Sequence, residues 1–263
     1  VKMVEETAPD AVYAIAQPEV AYPIWQWCLQ QGLNMFGEKP PGSNIHQTRL
    51  LVHLAQESGS LTQFGFQRRH HPMLTKLRKA CLKRGQIMHA VCEFHKCAIA
   101  PYMRGRGHLV DDGIHGVDLV RWMCGGEVIE ILSVTGRFDV PDINFVTATL
   151  RFDNGATGIY TSNWASGRRV LRVQMHAAGI CAEGNIDEKG LIYTDGSLEP
   201  EVLNTHEVAG SDEPAVYDGY RALNREFIDC VKAGKQPSAN IAEALKTMEV
   251  CEKILAMALL QDE

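Results

Sequence analysis

The chain has 263 residues, of which 45% are hydrophobic and 22% charged, and its formal net charge is -6 at pH 7. These values are typical of a globular protein with one large domain or two smaller ones. They do not favour broad attraction to nucleic acid, and no apolar run reaches the ~18 residues of a membrane span. The eight cysteines form no C-x-x-C pair, so we expect reduced, mostly buried thiols in a cytoplasmic protein.

The first 85 residues alternate short apolar strands with amphipathic helices, a pattern typical of a parallel α/β sheet. We predict strands at 11–16, 33–37 and 61–66. We predict helices at 20–31, 45–58 and 71–84, the first and last of them ended by Gly32 and Gly85. In the second helix one buried face is expected to contain Leu50, Leu51, Leu54 and Ala55.

Basic residues cluster at Arg68-Arg69-His70-His71 and along the third helix between Lys76 and Arg84. A solvated helix face with its entry turn is the interpretation that the sequence favours. The alternative is a patch that contacts phosphates or an anionic substrate.

After Gly85 the pattern changes to long alternating strands, which indicates a second, α+β domain with an open antiparallel sheet. We predict its strands at 86–97, 128–139, 145–152, 156–164 and 170–177. We predict its helices at 110–124, 217–233 and 241–260. Asp153-Asn154-Gly155 is a strong hairpin signal between two of the strands.

Glu38-Lys39-Pro40-Pro41 follows a predicted parallel strand, at the edge where ligands of open α/β sheets bind. A lysine held there beside a cationic ring has a lowered proton affinity, as proton transfer near neutral pH requires. Proline restricts the backbone of Lys39, and a cis Lys39–Pro40 bond is allowed although trans is commoner. An ordinary surface turn is the alternative.

Asp111, His115 and Asp118 stand at i, i+4 and i+7, so a helix places them on one face. A carboxylate one turn from an imidazole fixes its tautomer and raises its basicity, which suits proton transfer to or from a hydroxyl or carbonyl oxygen. Asp118 is either a supporting partner or a structural residue. Two alternatives stay open: His115 is a satisfied buried histidine, or Asp111 and His115 hold a metal ion, for which no convincing third ligand is spaced nearby.

These segments, in this order, resemble the Gfo/Idh/MocA family (glucose–fructose oxidoreductase, inositol dehydrogenase and relatives) over nearly the whole chain. The resemblance is carried by Asp10-Ala11-Val12, Gly32, Glu38-Lys39-Pro40, Gly65-Phe66-Gln67-Arg68-Arg69, the Asp111/His115/Asp118 helix, Phe152-Asp153-Asn154-Gly155, Asn163-Trp164 and residues 227–237. Each motif alone is modest, whereas the ordered set is specific.

The resemblance implies an α/β fold with a partial Rossmann-type parallel sheet, followed by an α+β domain with a large, mostly antiparallel open sheet. Residues 1–85 would be the C-terminal part of a dinucleotide-binding domain. Residues 86–263 would bind substrate and form oligomers, with the last helices packing back on the first domain. A homodimer or homotetramer through the second sheet is implied, and neither nucleic acid nor membrane is an expected partner.

The implied activity is an NAD(P)-dependent interconversion of a secondary alcohol and a ketone on a sugar, cyclitol or similar polyol. By the resemblance, Lys39 and His115 are the proton-transfer pair and Asp111 is their partner, and these three residues also contact the substrate. No metal is implied. The implied cofactor-binding residues are Gln17, Pro18, Glu38, Lys39, Pro40 and Gln67.

The chain departs from the family pattern at its start. Relatives begin with a strand, a G-x-G-x-x-G turn and a helix that hold the cofactor pyrophosphate, and no such motif occurs here. The residue that reads the ribose 2′ position is not identified either, so NAD and NADP are not distinguished. Ala16-Gln17 replaces the usual Thr-Pro, and Ala21 replaces a common histidine.

Three explanations compete for this departure. The sequence covers only part of a complete enzyme, or the protein is a catalytically silent binding or scaffold relative, or another chain supplies the strands. A half sheet with a long exposed parallel edge is poorly compatible with solubility, which favours the first explanation.

The loop before the predicted catalytic helix is a further candidate for substrate contacts. Its polar side chains, which suit hydroxyls or a carboxylate, are Tyr102, Arg104, Arg106 and His108. A solvated loop is an equally good interpretation.

Overall fold

A computed structural model describes residues 2–98 and 107–259. Its helices are α1 Lys2–Thr7, α2 Pro18–Gln30, α3 Ile45–Ser58, α4 Pro72–Arg84, α5 Ile114–Cys124, α6 Thr205–Ala209, α7 Pro214–Tyr217, α8 Tyr220–Ala233 and α9 Ile241–Leu259. Its strands are β1 Ala11–Ala14, β2 Asn34–Gly37, β3 Thr62–Phe64, β4 His89–Cys97, β5 Val128–Gly136, β6 Phe145–Phe152, β7 Thr157–Asn163, β8 Ala165–Ala177, β9 Ile180–Asn185, β10 Lys189–Thr194 and β11 Glu201–Asn204. A 3₁₀ turn occupies Gln67–His70 and a π-helical turn occupies Leu109–Gly113.

Contacts divide the chain into two compact units. Unit 1 contains the residues up to Phe66 together with Leu223–Glu249, and unit 2 contains Gln67–Ala222 and the residues from Val250 onward. The functional division proposed from the sequence, with its boundary after residue 85, concerns roles and stays a prediction.

Unit 1 contains a three-stranded parallel sheet in the order β1-β2-β3. The buried Trp25 of α2 connects that helix to the sheet, because its Nε1 donates to the carbonyl oxygen of Ala14 at 2.7 Å. The core beside β2 combines Phe36 with Leu223 and Phe227 of α8. All three predicted strands of this region are confirmed, each within a few residues of its expected bounds.

The expected apolar face of α3 needs a correction. Leu50 is exposed, and the residues of this helix that are buried are Thr48, Leu51 and Ala55. They follow an i, i+3, i+7 spacing, so the buried stripe is narrower than predicted and is centred on Leu51. The bounds of the helix agree with the prediction.

Unit 2 is built on an eight-stranded sheet in the order β11-β10-β9-β8-β4-β7-β6-β5. Every neighbouring pair is antiparallel except β4 and β7, which run parallel. Helices α4 and α5 pack on one face of it. The predicted fold class, with a small parallel sheet and a larger, mostly antiparallel sheet, is therefore confirmed. The Asp153-Asn154-Gly155 hairpin is confirmed as well, since β6 and β7 pair antiparallel across it.

The cysteines are all free, and five of the eight are buried, as expected: Cys28, Cys81, Cys92, Cys124 and Cys251. Within the described residues, no helix combines the length and the apolarity that crossing a membrane requires.

Candidate active site

The first group of predicted site residues lies at the carboxyl edge of the parallel sheet in unit 1. Glu38 and Lys39 come directly after β2 and are half-buried, while Pro40 is buried. The Lys39–Pro40 bond is cis, the less common of the two states that the sequence allowed. Gln17 is the exposed N-cap residue of α2, which begins at Pro18, shortly after β1. Because β1 and β2 are parallel, their carboxyl ends share one edge, so the structure brings these segments to the same side of the sheet.

The carboxyl group of Glu38 is held in a closely packed environment. Burial raises its pKa, although the Lys39 amide, which donates to its Oε2 at 3.3 Å, and the Lys39 ammonium both act in the opposite direction. Gly65 lies against this carboxylate, and a Cβ at that position would overlap it. The glycine that follows β3 is therefore required by the presence of Glu38.

The second group lies at the start of α5 in unit 2. Asp111 and His115 are both buried there, at 6% and 5% exposure. The chain is helical from Leu109 onward, but Leu109–Gly113 forms a π turn, so the spacing from Asp111 to His115 is not that of the regular α-helix predicted. A buried carboxylate and a buried imidazole about one turn apart are suited to holding and moving a proton.

Asp118 has a structural partner. Its Oδ2 accepts from Nε of Arg69 at 2.6 Å and its Oδ1 from Nη2 at 2.5 Å, with both side chains buried. The neighbouring Arg68 pairs with Asp218 at 2.6 Å. The interpretation of the basic cluster as solvated is therefore wrong for Arg68 and Arg69, because both guanidinium groups are buried in ion pairs.

Gln67 belongs to unit 2, in the 3₁₀ turn that precedes α4. It is buried, and its Nε2 donates to the hydroxyl of Tyr220 at 3.1 Å. Gly219 packs against its carbonyl oxygen, since a Cβ at Gly219 would stand 2.6 Å from that oxygen. Sequence reasoning missed Tyr220, and no local signal points to it because 153 residues separate the two partners.

Two further polar pairs flank the start of α5. His108 is buried, and its Nδ1 lies 2.8 Å from Oδ2 of Asp142. Burial raises the pKa of Asp142, but the hydrogen bonds from His108 outweigh it and the pKa is lowered. Lys96 of β4 pairs with Asp112.

His108 is thus a buried residue with a carboxylate partner, so the solvated-loop interpretation is wrong for it. Tyr102, Arg104 and Arg106 lie outside the described residues. In the described part of the chain, no group of three or more His, Cys, Asp or Glu side chains is arranged to hold a metal ion.

Residues 83–179 match the GFO/IDH/MocA C-terminal domain. The chain is 21% identical over 263 residues to the scyllo-inositol 2-dehydrogenase (NAD(+)) of Bacillus subtilis, with 95% of this chain and 75% of that protein covered. Asp111, His115 and Asp118 all fall inside the segment that matches the domain.

Solved structures show the same fold. A dehydrogenase from Chromobacterium violaceum superposes with a TM-score of 0.88 at 19% identity, covering 100% of this chain and 80% of that one. A levoglucosan dehydrogenase in complex with NADH and levoglucosan gives a TM-score of 0.85 at 15% identity, covering 98% and 80%. At these identities the similarity establishes the fold, and the roles of individual residues are a separate matter.

Proposed function

We propose that the chain is an oxidoreductase of the Gfo/Idh/MocA family, whose C-terminal domain residues 83–179 match, and that it interconverts a secondary alcohol and a ketone on a sugar, cyclitol or similar polyol, with NAD or NADP. The observation that carries the proposal is the buried pair of Asp111 and His115 at the start of α5, within the segment that matches the family. The relatives support the substrate class, because their names include an inositol dehydrogenase and a levoglucosan dehydrogenase.

Three residues of the chain share the transfer of the proton of the substrate hydroxyl group. In this proposal Lys39 and His115 contact the substrate oxygen and exchange its proton. Asp111 orients the imidazole of His115 and favours the form that can accept a proton. Both side chains are buried, so a proton held there is shielded from bulk water and nearby charges act on it more strongly than at the surface.

The residues at the carboxyl edge of β1 and β2 fit the nicotinamide end of a dinucleotide. Glu38 and Lys39 supply a carboxylate and an ammonium, and the missing side chain of Gly65 leaves the space that the carboxylate occupies. We assign cofactor contacts to these residues and to Gln17, Pro18, Pro40 and Gln67. When bound, a nicotinamide cofactor supplies the hydride acceptor or donor, and no G-x-G-x-x-G motif of this sequence is available for its pyrophosphate.

A thermal-shift titration with NAD⁺, NADH, NADP⁺ and NADPH tests the cofactor part of the proposal. We expect stabilisation by the oxidised and reduced forms of one cofactor, because a ligand that binds the folded form raises the melting temperature. Absence of a shift with all four, both in this chain and in a protein extended by the N-terminal segment that carries the glycine-rich motif in relatives, would contradict the dehydrogenase proposal and favour the catalytically silent relative.

Turnover tests the catalytic roles, with myo-inositol, scyllo-inositol and levoglucosan as probes. We expect Lys39→Ala and His115→Ala to lower turnover by about a hundredfold or more while the cofactor-induced shift persists. Matched controls are His53→Ala and Lys79→Ala, which remove exposed side chains of α3 and α4. Wild-type turnover in both test variants would remove Lys39 and His115 from these roles.

We also propose that the eight-stranded sheet of unit 2 forms a homo-oligomer through its open face. The support is the exposure of apolar side chains at the two edge strands, namely Leu132 and Val134 on β5 and Val202 on β11. Neighbouring exposed apolar side chains on the open face of a sheet, as at Leu132 and Val134, are a starting point for an interaction site.

A further inference from the structure

The ion pair between Arg69 and Asp118 is bidentate: two guanidinium nitrogens each donate to a different oxygen of the carboxylate. Two nitrogen–oxygen contacts of 2.6 and 2.5 Å join the guanidinium and the carboxylate, whose side chains are 8% and 1% exposed. A bidentate pair fixes the orientation of its two groups as well as their separation. Neither residue has a role in the reaction proposed above.

The pair joins the two elements of unit 2 that carry predicted site residues. Arg69 lies in the 3₁₀ turn two residues after Gln67, and Asp118 lies on α5 one turn after His115. Side chains at i and i+3 share a helix face, so a shift or rotation of α5 that moves His115 also moves Asp118. Such a movement has to distort the pair.

The same turn is contacted on its other side by residues 218–220, which lead into α8. Arg68 pairs with Asp218, Gln67 donates to Tyr220, and Gly219 with φ +88° packs against the backbone of the turn. A side chain at Gly219 would overlap that backbone. The 3₁₀ turn is therefore fixed by contacts with residues 218–220, and the Arg69–Asp118 pair connects this fixed turn to α5.

We propose that Arg69 and Asp118 are positioning residues, which hold His115 and Gln67 in one fixed geometry without touching substrate or cofactor. The inference rests on the proposed function. Replacing a buried ion pair by an apolar pair of similar volume is often neutral or stabilising for a fold. The apolar pair, however, does not fix the mutual orientation of the two side chains as a bidentate contact does. The property specific to this pair is therefore orientation rather than stability, and small misplacements of a catalytic group reduce turnover strongly.

The double variant Arg69→Met/Asp118→Leu tests the proposal, because it replaces both charged groups of the bidentate pair by apolar side chains at the same time. We expect kcat of the folded protein, with NAD⁺ or NADP⁺ and the three polyol probes, to fall about ten- to a hundredfold. Its melting temperature stays close to that of the wild type. A merely structural role gives the opposite pattern, with a lower melting temperature and an unchanged kcat.

A readout independent of turnover is the imidazole ¹⁵N chemical shift of His115, in protein labelled at its ten histidines. The signal is assigned by its loss in His115→Gln. We expect it to move in the double variant. The matched control is Arg169→Met/Asp187→Asn, which removes an exposed Arg–Asp pair of 3.0 and 3.1 Å in the same unit and leaves kcat and the His115 signal unchanged.

A folded double variant with kcat within about twofold of the wild type and an unmoved His115 signal overturns the proposal. If the double variant does not fold, Arg69→Lys is the deciding variant, because lysine keeps the positive charge but cannot form the bidentate contact. An unchanged kcat and an unchanged His115 chemical shift overturn the proposal. A reduced kcat together with a moved His115 signal supports it. If the wild type turns over none of the probes, the proposed function fails, and the His115 shift alone still answers the question of position.

Discussion

His71 has no exposed surface, and it is the N-cap residue of α4. Neither ring nitrogen has a hydrogen-bond partner among the described residues. Burial, followed by the charge of Arg68, lowers its pKa to about 4, while Asp218 acts in the opposite direction. The imidazole is therefore neutral in the folded protein at pH values where the unfolded chain already protonates it.

This difference predicts how stability depends on pH. The unfolded chain takes up a proton at His71 near pH 6.5 and the folded form only near pH 4, so stability falls as pH decreases through that window. Between pH 7 and pH 5 the loss from this residue is about 2 kcal/mol. His71→Leu should abolish that part of the loss, as measured by urea unfolding at both pH values.

The matched control is His53→Leu on the exposed face of α3, which should keep the wild-type pH dependence. An equal loss of stability in His71→Leu and wild type between pH 7 and pH 5 would show that His71 is not the group responsible.

At the residue scale, sequence reasoning succeeded where the signal is local and failed where the partner is distant. Glu38 and Lys39 follow a short apolar strand, and that pattern alone places them at the carboxyl edge of the sheet. Arg68 and Arg69 look like part of a solvated basic helix, because their partners Asp218 and Asp118 are 150 and 49 residues away. The catalytic and cofactor roles stay predictions until the variants are measured.

At the scale of whole elements the same distinction holds. The bounds of α3 agree with the prediction. Both ends also carry local signals that the prediction did not use: the Asn44 side chain accepts from the Gln47 amide, and Gly59 adopts φ +69°. Strands β9, β10 and β11 and helices α6 and α7 were not predicted. They have only four to six residues each and, unlike the equally short β1–β3, the three strands follow one another without amphipathic helices that would mark their limits.

The π turn before α5 escaped prediction too, since one wide turn leaves no repeating pattern in a sequence. Its contact with β7 depends on glycine. A Cβ at Gly113 would stand 2.6 Å from the hydroxyl oxygen of Tyr160, and a Cβ at Gly116 would overlap the ring of the same tyrosine. Tyr160 is fully buried, and burial raises its pKa well above the ordinary value, so the phenol stays neutral.

A double-mutant cycle tests this contact. Gly113→Ala gains up to about 1 kcal/mol of helix propensity, but overpacking costs about 1–3 kcal/mol, so we expect net destabilisation. Tyr160→Phe removes the hydroxyl that the new methyl group meets, and Gly113→Ala should cost less in that background. Urea unfolding of the four proteins measures the coupling energy.

Gly116→Ala provides the control for that cycle. The methyl group at this position meets a ring carbon that phenylalanine retains, so Tyr160→Phe should not relieve its cost. Equal costs of Gly113→Ala in the two backgrounds would mean that the hydroxyl contact does not limit the approach of the helix.

At the scale of the whole molecule, the two faces of the large sheet differ. On β5, Ser133 points to the covered face, where its hydroxyl donates to the carbonyl oxygen of Ile254 in α9. Leu132 and Val134 alternate with it and are 61% and 60% exposed. They pair in register with Thr149 and Thr147 of β6, which gives the open face a mixed apolar and hydroxyl surface.

From the exposed apolar side chains of this open face we predict that the protein associates with further copies of itself. A stable interface buries about 800 Å² on each partner, and exposed leucine and valine side chains on the open face of the sheet supply the apolar part of such an area. We expect sedimentation velocity to show a dimer or tetramer. Leu132→Glu/Val134→Glu should shift it to monomer, because association would then bury four unpaired carboxylates in each dimer that forms through this face.

Leu198→Glu is the matched control, since Leu198 is 93% exposed in the turn between β10 and β11 and lies outside the sheet. It should sediment as the wild type does. If the double glutamate variant keeps the wild-type mass, the oligomer does not form through β5. If the wild type itself is monomeric at micromolar concentration, the self-association proposal fails.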